Sequence, residues 1–294
     1  GRRIDLSAER AVVIGNGNVA LDIARILLTD PDRLAETDIA DHALDALRSS
    51  SVREVVILGR RGPSDAAFTV GEVASLTDLP TDIVVGEAQE DEPRADSPAV
   101  ALLRALSAGR AHGHDRRLVF RFDTTPRAVL GEQSVAGVEV AHAGAVETIE
   151  AGLVVGAVGF RGTKLAGLPF DESSGTVPHR NGRVVDPESG DVVDGRYVAG
   201  WIKRGSRGGI GANRRCAEET SQSVIDDLAS RTNRCVENDV VVVAERNGAR
   251  VVDTAGWRRI DSAERAAGIA HGRPRTKLTD VRALLSVGAG GLEP

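Results

Sequence analysis

The chain has 294 residues, 41% hydrophobic and 27% charged, with a formal net charge of −6 at pH 7. This is the balance of a soluble globular protein with room for one large or two medium cores, and the negative charge argues against nucleic acid as the main partner. No apolar run approaches the roughly 20 residues that span a bilayer, and Cys216 and Cys235, without metal or redox spacing, suit a reducing compartment such as the cytoplasm.

Residues 1–10 are polar and read as an incoming linker. Ala11-Val12-Val13-Ile14 reads as a short buried strand, and the amphipathic run 18–28 as a helix. Between and into them runs Gly15-Asn16-Gly17-Asn18-Val19-Ala20, a G-x-G-x-x-A turn. Each small residue has a physical task. Gly15 allows the sharp turn. Gly17 lets the backbone approach a pyrophosphate where a Cβ would collide. Ala20 lets the helix pack close to the strand. The free N–H groups and positive dipole end of the helix then face the phosphates. These six residues are candidate dinucleotide ligands.

The segment 29–51, with Pro31 and several Asp, reads as an insertion in the crossover, with a short helix near 42–48. A second strand, 54–58, ends at Gly59-Arg60-Arg61-Gly62-Pro63. An acidic residue there would accept the ribose hydroxyls of NAD; Arg60 and Arg61 suit a 2′-phosphate through forked, charge-assisted bonds, so the cofactor read is NADP. Arg60 lies 43 residues after Gly17, where about 20 is usual, and the insertion accounts for the excess. The alternative for the two arginines is a solvated charge pair.

Further along, the pattern predicts a helix over 66–79 stopped by Pro80, a strand over 81–85, an acidic surface loop over 87–97 and a helix over 98–111. Strands follow at 118–122, 125–131 and 135–142, and a last buried strand at 151–158 leads into Gly159-Phe160-Arg161-Gly162. A domain boundary falls near 164–169, where Gly, Pro, Asp and Ser accumulate, dividing the chain into 1–165 and 166–294. Residues 196–201 then read as a strand, 205–211 as a glycine-rich turn and 212–229 as a helix; the tail holds an apolar run at 239–244 and a last helix at 279–286. The six histidines are scattered singly, so no metal site is assigned, and no nucleophile elbow occurs.

Three blocks, 11–28 (AVVIGNGNVALDIARILL), 53–72 (REVVILGRRGPSDAAFTVGE) and 196–211 (RYVAGWIKRGSRGGIG), resemble the adrenodoxin-reductase-like ferredoxin–NADP reductases. The likeness runs from about residue 8 to the end of the chain. It implies an α/β flavoprotein of two dinucleotide-binding domains: a Rossmann-like NADP domain over 1–165, and over 166–294 the C-terminal part of a discontinuous FAD domain plus a tail. It implies an oxidoreductase passing electrons from NADPH through FAD to a ferredoxin-type iron–sulfur protein. The cofactors carry that chemistry, so no catalytic side chain is assigned. By resemblance Glu72 contacts NADP, Trp201 and Gly208-Gly209-Ile210 lie along the flavin, and Gly208 also meets the nicotinamide half; from the residues alone Trp201 reads rather as a core aromatic.

The family's chain opens with an FAD glycine motif and half of the FAD domain, which this sequence lacks. The expectation is that an upstream segment or a second polypeptide supplies it, and that these residues alone hold NADP but not FAD. Two departures stand out. Ala74-Ser75 replaces an Arg-Glu pair, and Ser206-Arg207 replaces Pro-(Thr/Ser). Arg207 joins Lys203, Arg204, Arg214 and Arg215 in a basic cluster that would steer an acidic ferredoxin, or that is surface charge. Two other readings stay open: another flavin-dependent NADPH oxidoreductase of the same architecture, the lack of C-x-x-C arguing against a disulfide reductase, or a non-enzymatic NADP-binding module.

Overall fold

Ala11, Val12 and Val13 are fully buried because their strand, β1 (Arg10–Ile14), has a parallel neighbour on each side. In the computed structural model, which describes residues 4–86, 97–109, 113–206, 208, 210–230 and 240–289, the chain divides into two compact units. One is Gly1–Val158 with Ala244–Pro294, the other Gly159–Val243.

In chain order the first unit runs β1, α1 (Asn18–Leu28), α2 (Pro31–Ala35), α3 (Asp41–Arg48), β2 (Glu54–Leu58), α4 (Val70–Ala74), β3 (Asp82–Val85) and α5 (Pro98–Gly109). It continues with β4 (Arg117–Arg121), β5 (Thr124–Leu130), β6 (Gly137–His142), β7 (Ala145–Glu150) and β8 (Leu153–Gly156). Five parallel strands form the central sheet in the order β3-β4-β2-β1-β8. The in-register pairs Val12↔Val56 and Val13↔Val155 place β1 between β2 and β8. Its alternating side chains go to two cores. Ala11 and Val13 pack with Leu21, Ala24 and Leu28 of α1, and Val12 packs with Val138, Val140 and Ile149 of the antiparallel sheet β5-β6-β7. A sheet buried on both faces needs a near-continuous apolar run, which β1 and β2 supply, and each fully buried Val or Leu stabilises by about 1.5–3 kcal/mol.

The predicted helix over 66–79 is broken. Residues 63–65 form a 3-10 turn, the helix is only α4, and a second 3-10 turn follows at 75–78. The cause is long-range: Ala67 N–H donates to the Asn16 carbonyl at 3.2 Å, so 66–69 is held extended against the glycine turn. The last strand is shorter than 151–158, and β7 was not foreseen. The acidic loop lies outside the described residues at 87–96, as do residues 110 and 111 of the helix predicted over 98–111.

The second unit holds a small antiparallel sheet of β9 (His179–Arg180), β10 (Arg183–Val185) and β11 (Val192–Tyr197), then α6 (Trp201–Arg204) and α7 (Ile210–Ser230). The strand predicted at 196–201 therefore stops at Tyr197, and Trp201 opens a helical turn instead. Val198 N–H is taken by the Gly182 carbonyl and Gly200 N–H by Cys216 Sγ, which turns the chain off the sheet. Arg183 grips Asp227 of α7 with two bonds of 2.8 Å, and the Tyr197 hydroxyl donates to the same carboxylate at 2.6 Å. The Arg183 bond and then the Tyr197 bond hold Asp227 below the usual carboxylate range. The anchor is thus intact above the unfolded carboxylate value of about 4 and is lost as pH falls through the lowered one.

After α8 (Val240–Arg246), the tail helices α9 (Thr254–Ile269) and α10 (Val281–Gly288) start at Asp253 and Asp280, whose carboxylates accept N–H groups of their first turns. The tail returns to the crossover insertion. Arg273 donates to the carbonyls of Thr37 and Ile39 and pairs with Asp41, and Lys277 pairs with Asp38 at 3.1 Å. The Arg273 side chain is 9% exposed. Arg273→Ala is expected to lower the stability of this unit by about 2 kcal/mol, the sum of two or three net hydrogen bonds, seen as a lower urea midpoint; an unchanged midpoint would show that the tail is held by packing alone.

Candidate functional site

The chain runs from β1 to β2 on one side and returns for β8 on the other, so the strand order reverses between β1 and β8. In open α/β sheets, ligands bind outside the carboxyl ends of the strands at such a switch point. The glycine turn lies there. Gly15 N–H donates to the Leu58 carbonyl at 2.9 Å, and Ala157 N–H to the Ile14 carbonyl at 2.7 Å, tying the ends of β1, β2 and β8 together.

The two glycines of the turn are required for different reasons. Gly15 has φ of 113°, and a Cβ on it would meet the Ala157 carbonyl oxygen at 2.4 Å, so the fold itself demands glycine. Gly17 has φ of −100° and ψ of −175°, which any residue adopts, and the nearest atom to a Cβ there is 3.8 Å away. Neither backbone strain nor packing requires glycine at 17. A Cβ there would make only an ordinary contact with Ala67, so glycine at 17 suits the close approach of a ligand. Gly17 is also the N-cap of α1 with no side-chain cap bond, which leaves the first N–H groups of the helix available to it. Ala20 is fully buried under the turn, and Val19 is 43% exposed beside it.

Both asparagines serve the turn's surroundings. The Asn16 side chain lies over Gly59, where a Cβ would meet its Nδ2 at 2.5 Å. Asn18 Oδ1 accepts the Thr69 N–H at 2.8 Å, and Thr69 Oγ1 in turn accepts the Glu72 N–H at 3.4 Å, capping α4. Glu72, half-buried, is thereby tied to the glycine turn through Asn18 and Thr69, a latch that the motif did not announce. Arg60 is exposed and has no ion-pair partner among the described residues; Arg61, also exposed, reaches Asp65 at 3.2 Å. Both stand on the loop after β2, next in the sheet to β1. The structure therefore gathers Gly15–Ala20, Arg60, Arg61 and Glu72 at one edge of the first unit.

In the second unit Trp201 is 42% exposed, not a core aromatic, and stacks on Phe160, which is 64% exposed. Gly208 has φ of +78°. Ile210 begins α7, and Gly209 lies outside the described residues, as does Arg207. Among the described residues, one member of the basic cluster is not on the surface. Lys203 is buried, its Nζ donating to the Cys216 carbonyl at 3.3 Å and Thr220 Oγ1 at 3.0 Å and pairing with Glu219. The bond from Lys203 holds Glu219 below its ordinary value, while burial and then the Lys203 charge push His179 down. Lys203 is thus an internal strut that fastens α6 to α7, unavailable to steer a partner. Arg204 donates to Asn213, and Arg214 pairs with Glu218 at 3.0 Å on the surface. Among the described residues no cluster of His, Cys, Asp or Glu forms a metal site, and no helix is long and apolar enough to cross a membrane.

No family model matches the chain. It is 44% identical over 97% of its length to the NADPH-ferredoxin reductase FprA of Mycobacterium tuberculosis, of which it covers 69%. The chain belongs to the ferredoxin–NADP reductase family. It is also 34% identical to a mitochondrial NADPH:adrenodoxin oxidoreductase of Arabidopsis thaliana, covering 67% of it, which joins the adrenodoxin-reductase branch to the same match. A solved structure of M. tuberculosis FprA in complex with NADPH superimposes with a TM-score of 0.83 at 42% identity, over 97% of this chain and 69% of that one. The fold is accordingly the α/β architecture of the two-dinucleotide-binding-domain reductases. The chain spans about half the length of other curated relatives: it is 43% identical to a probable ferredoxin/ferredoxin–NADP reductase of Mycobacterium leprae and covers 54% of it.

Proposed function

We propose that this chain forms the NADPH-binding part, and one portion of the FAD site, of a ferredoxin–NADP reductase. The unit ending at Val158 takes NADPH and the unit Gly159–Val243 contributes to the flavin site. The observation that carries the reading is Gly17, a glycine that neither its backbone conformation nor the contact of a Cβ requires. A pyrophosphate there is met by the N-terminal N–H groups of α1, the 2′-phosphate by Arg60 and Arg61, and Glu72 stands as the third contact. When bound, the nicotinamide supplies a hydride, and the flavin takes up the electron pair and releases it singly. The chain's own contribution is to bind and orient. The N–H groups and arginines neutralise the phosphates, and the Asn18–Thr69 latch fixes the segment that presents Glu72. Trp201 offers an exposed aromatic surface in the second unit.

The electron acceptor is a ferredoxin-type iron–sulfur protein and the compartment a reducing, cytoplasmic one; the family relation and the thiol content support both. The remainder of the FAD site comes from an upstream segment or a second polypeptide. The test is to purify the full-length natural product, measure its flavin content and follow NADPH-dependent reduction of a [2Fe–2S] or [4Fe–4S] ferredoxin. Stoichiometric FAD and ferredoxin reduction are expected. A flavin-free product that binds NADPH would leave only the binding-module reading.

Asn18 has its own prediction. Asn18→Ala removes the acceptor of the Thr69 N–H. The loss of one hydrogen bond that orders a contact segment should weaken NADPH binding about fivefold, with kcat little changed at saturating NADPH. Equal KM in the variant would show that the latch does not act on the site.

A further inference from the structure

Resting on the reading of Gly159–Val243 as part of a flavin site, we propose that Phe160 is a second aromatic wall of that site and that Ser206 is the residue that positions it. Phe160 and Trp201 are 41 positions apart in sequence yet stack with ring centroids 5.9 Å apart and planes 26° from parallel. Ser206 joins the two segments reciprocally. Its Oγ donates to the Phe160 carbonyl at 2.7 Å and accepts the Phe160 N–H at 3.3 Å. Both backbone polar groups of Phe160 are thereby spent on one side chain, which ties its backbone to the segment after α6.

The rest of the segment is fixed as firmly. Gly162 lies so close to α6 that a Cβ would meet Ile202 Cδ1 at 2.5 Å. Arg161 donates to the carbonyls of Glu172 and Ser173. On the other side, Gly205 N–H donates to the Trp201 carbonyl at 2.8 Å, and the Lys203 strut holds α6 on α7. The product is a pair of rings held rigidly at both backbones and left 64% and 42% exposed. Large aromatic faces held in this way and open to solvent are a binding surface for a planar ring, because stacking needs orientation as well as area. The isoalloxazine is a planar, electron-poor ring, complementary to the electron-rich indole and the phenyl ring beside it.

The test uses the full-length holoenzyme with Phe160→Ala, Phe160→Leu, Phe160→Tyr, Ser206→Ala and Ser206→Thr. The readouts are FAD dissociation from reconstituted apoprotein, the flavin visible spectrum and the flavin midpoint potential. Phe160→Ala and Phe160→Leu should weaken FAD about fivefold, from the loss of one aromatic pair, and shift both band and potential; Phe160→Tyr, which keeps the ring, should match wild type. Ser206→Ala should shift the spectrum and potential in the same direction, and Ser206→Thr, which keeps the hydroxyl, should restore them. Phe160→Leu separates loss of the ring from loss of bulk if the alanine variant folds poorly. Wild-type affinity, spectrum and potential in both Phe160→Leu and Ser206→Ala would overturn the inference and leave the proposed function standing. A full-length wild-type protein that takes up no flavin would overturn the reading beneath it.

Discussion

Gly17→Val is expected to fold as the wild type does and to bind NADPH about 100-fold more weakly, the cost of forcing a branched side chain against a phosphate. The structure makes this a clean test. The backbone of Gly17 is extended at φ −100°, a conformation in which valine is at ease, and the nearest protein atom to its Cβ is 3.8 Å away. The added Cβ therefore meets the protein only in ordinary van der Waals contact with Ala67. Titration calorimetry on a variant with wild-type circular dichroism reads the effect directly, and undiminished affinity would remove the pyrophosphate from this turn. Gly15→Val supplies the contrast. Its φ of 113° and the Ala157 carbonyl at 2.4 Å predict damage to the fold itself.

Replacing Arg60 and Arg61 together with alanine is expected to reduce the preference for NADPH over NADH roughly 100-fold or more, two charge-assisted hydrogen bonds being lost with only the phosphorylated cofactor. NADH itself should bind as before. Arg60 stands exposed with no ion pair among the described residues, so its removal leaves no partner behind. Arg61 gives up only an exposed pair with Asp65, and surface pairs of this kind contribute little. The comparison is kcat/KM for the two cofactors in wild type and double variant. A retained ratio would place the 2′-phosphate elsewhere.

Much of the candidate nucleotide site was legible in the sequence because it is written in consecutive residues. A fully buried strand, a glycine turn and an amphipathic helix each leave their own local pattern, and β1, the turn and α1 stand where that pattern puts them. The arginine loop was legible for the same reason: it directly follows the apolar run of β2. What failed were stretches whose hydrogen bonds leave the neighbourhood. Residues 66–79 have a helical pattern, but Thr69 N–H goes to Asn18, 51 positions away, and Ala67 N–H goes to Asn16; the helix begins only after those bonds are made.

The same division holds in the second unit and the tail. The order of the residues determines by itself that a glycine-rich turn precedes a long helix, but it puts a strand at 196–201 where the folded chain ends β11 at Tyr197. It does not determine that Lys203 is buried. A lysine between Ile202 and Arg204 reads as a surface cation until α7 brings Glu219, Thr220 and the Cys216 carbonyl around its ammonium. Nor does it show that Arg273 closes the tail onto Asp41, a residue 232 positions earlier. Short-range order follows from side-chain periodicity and backbone preference, which a sequence displays one residue after another. The destination of a buried charge or an unpaired N–H depends on which distant group arrives to meet it, and only the folded chain decides that.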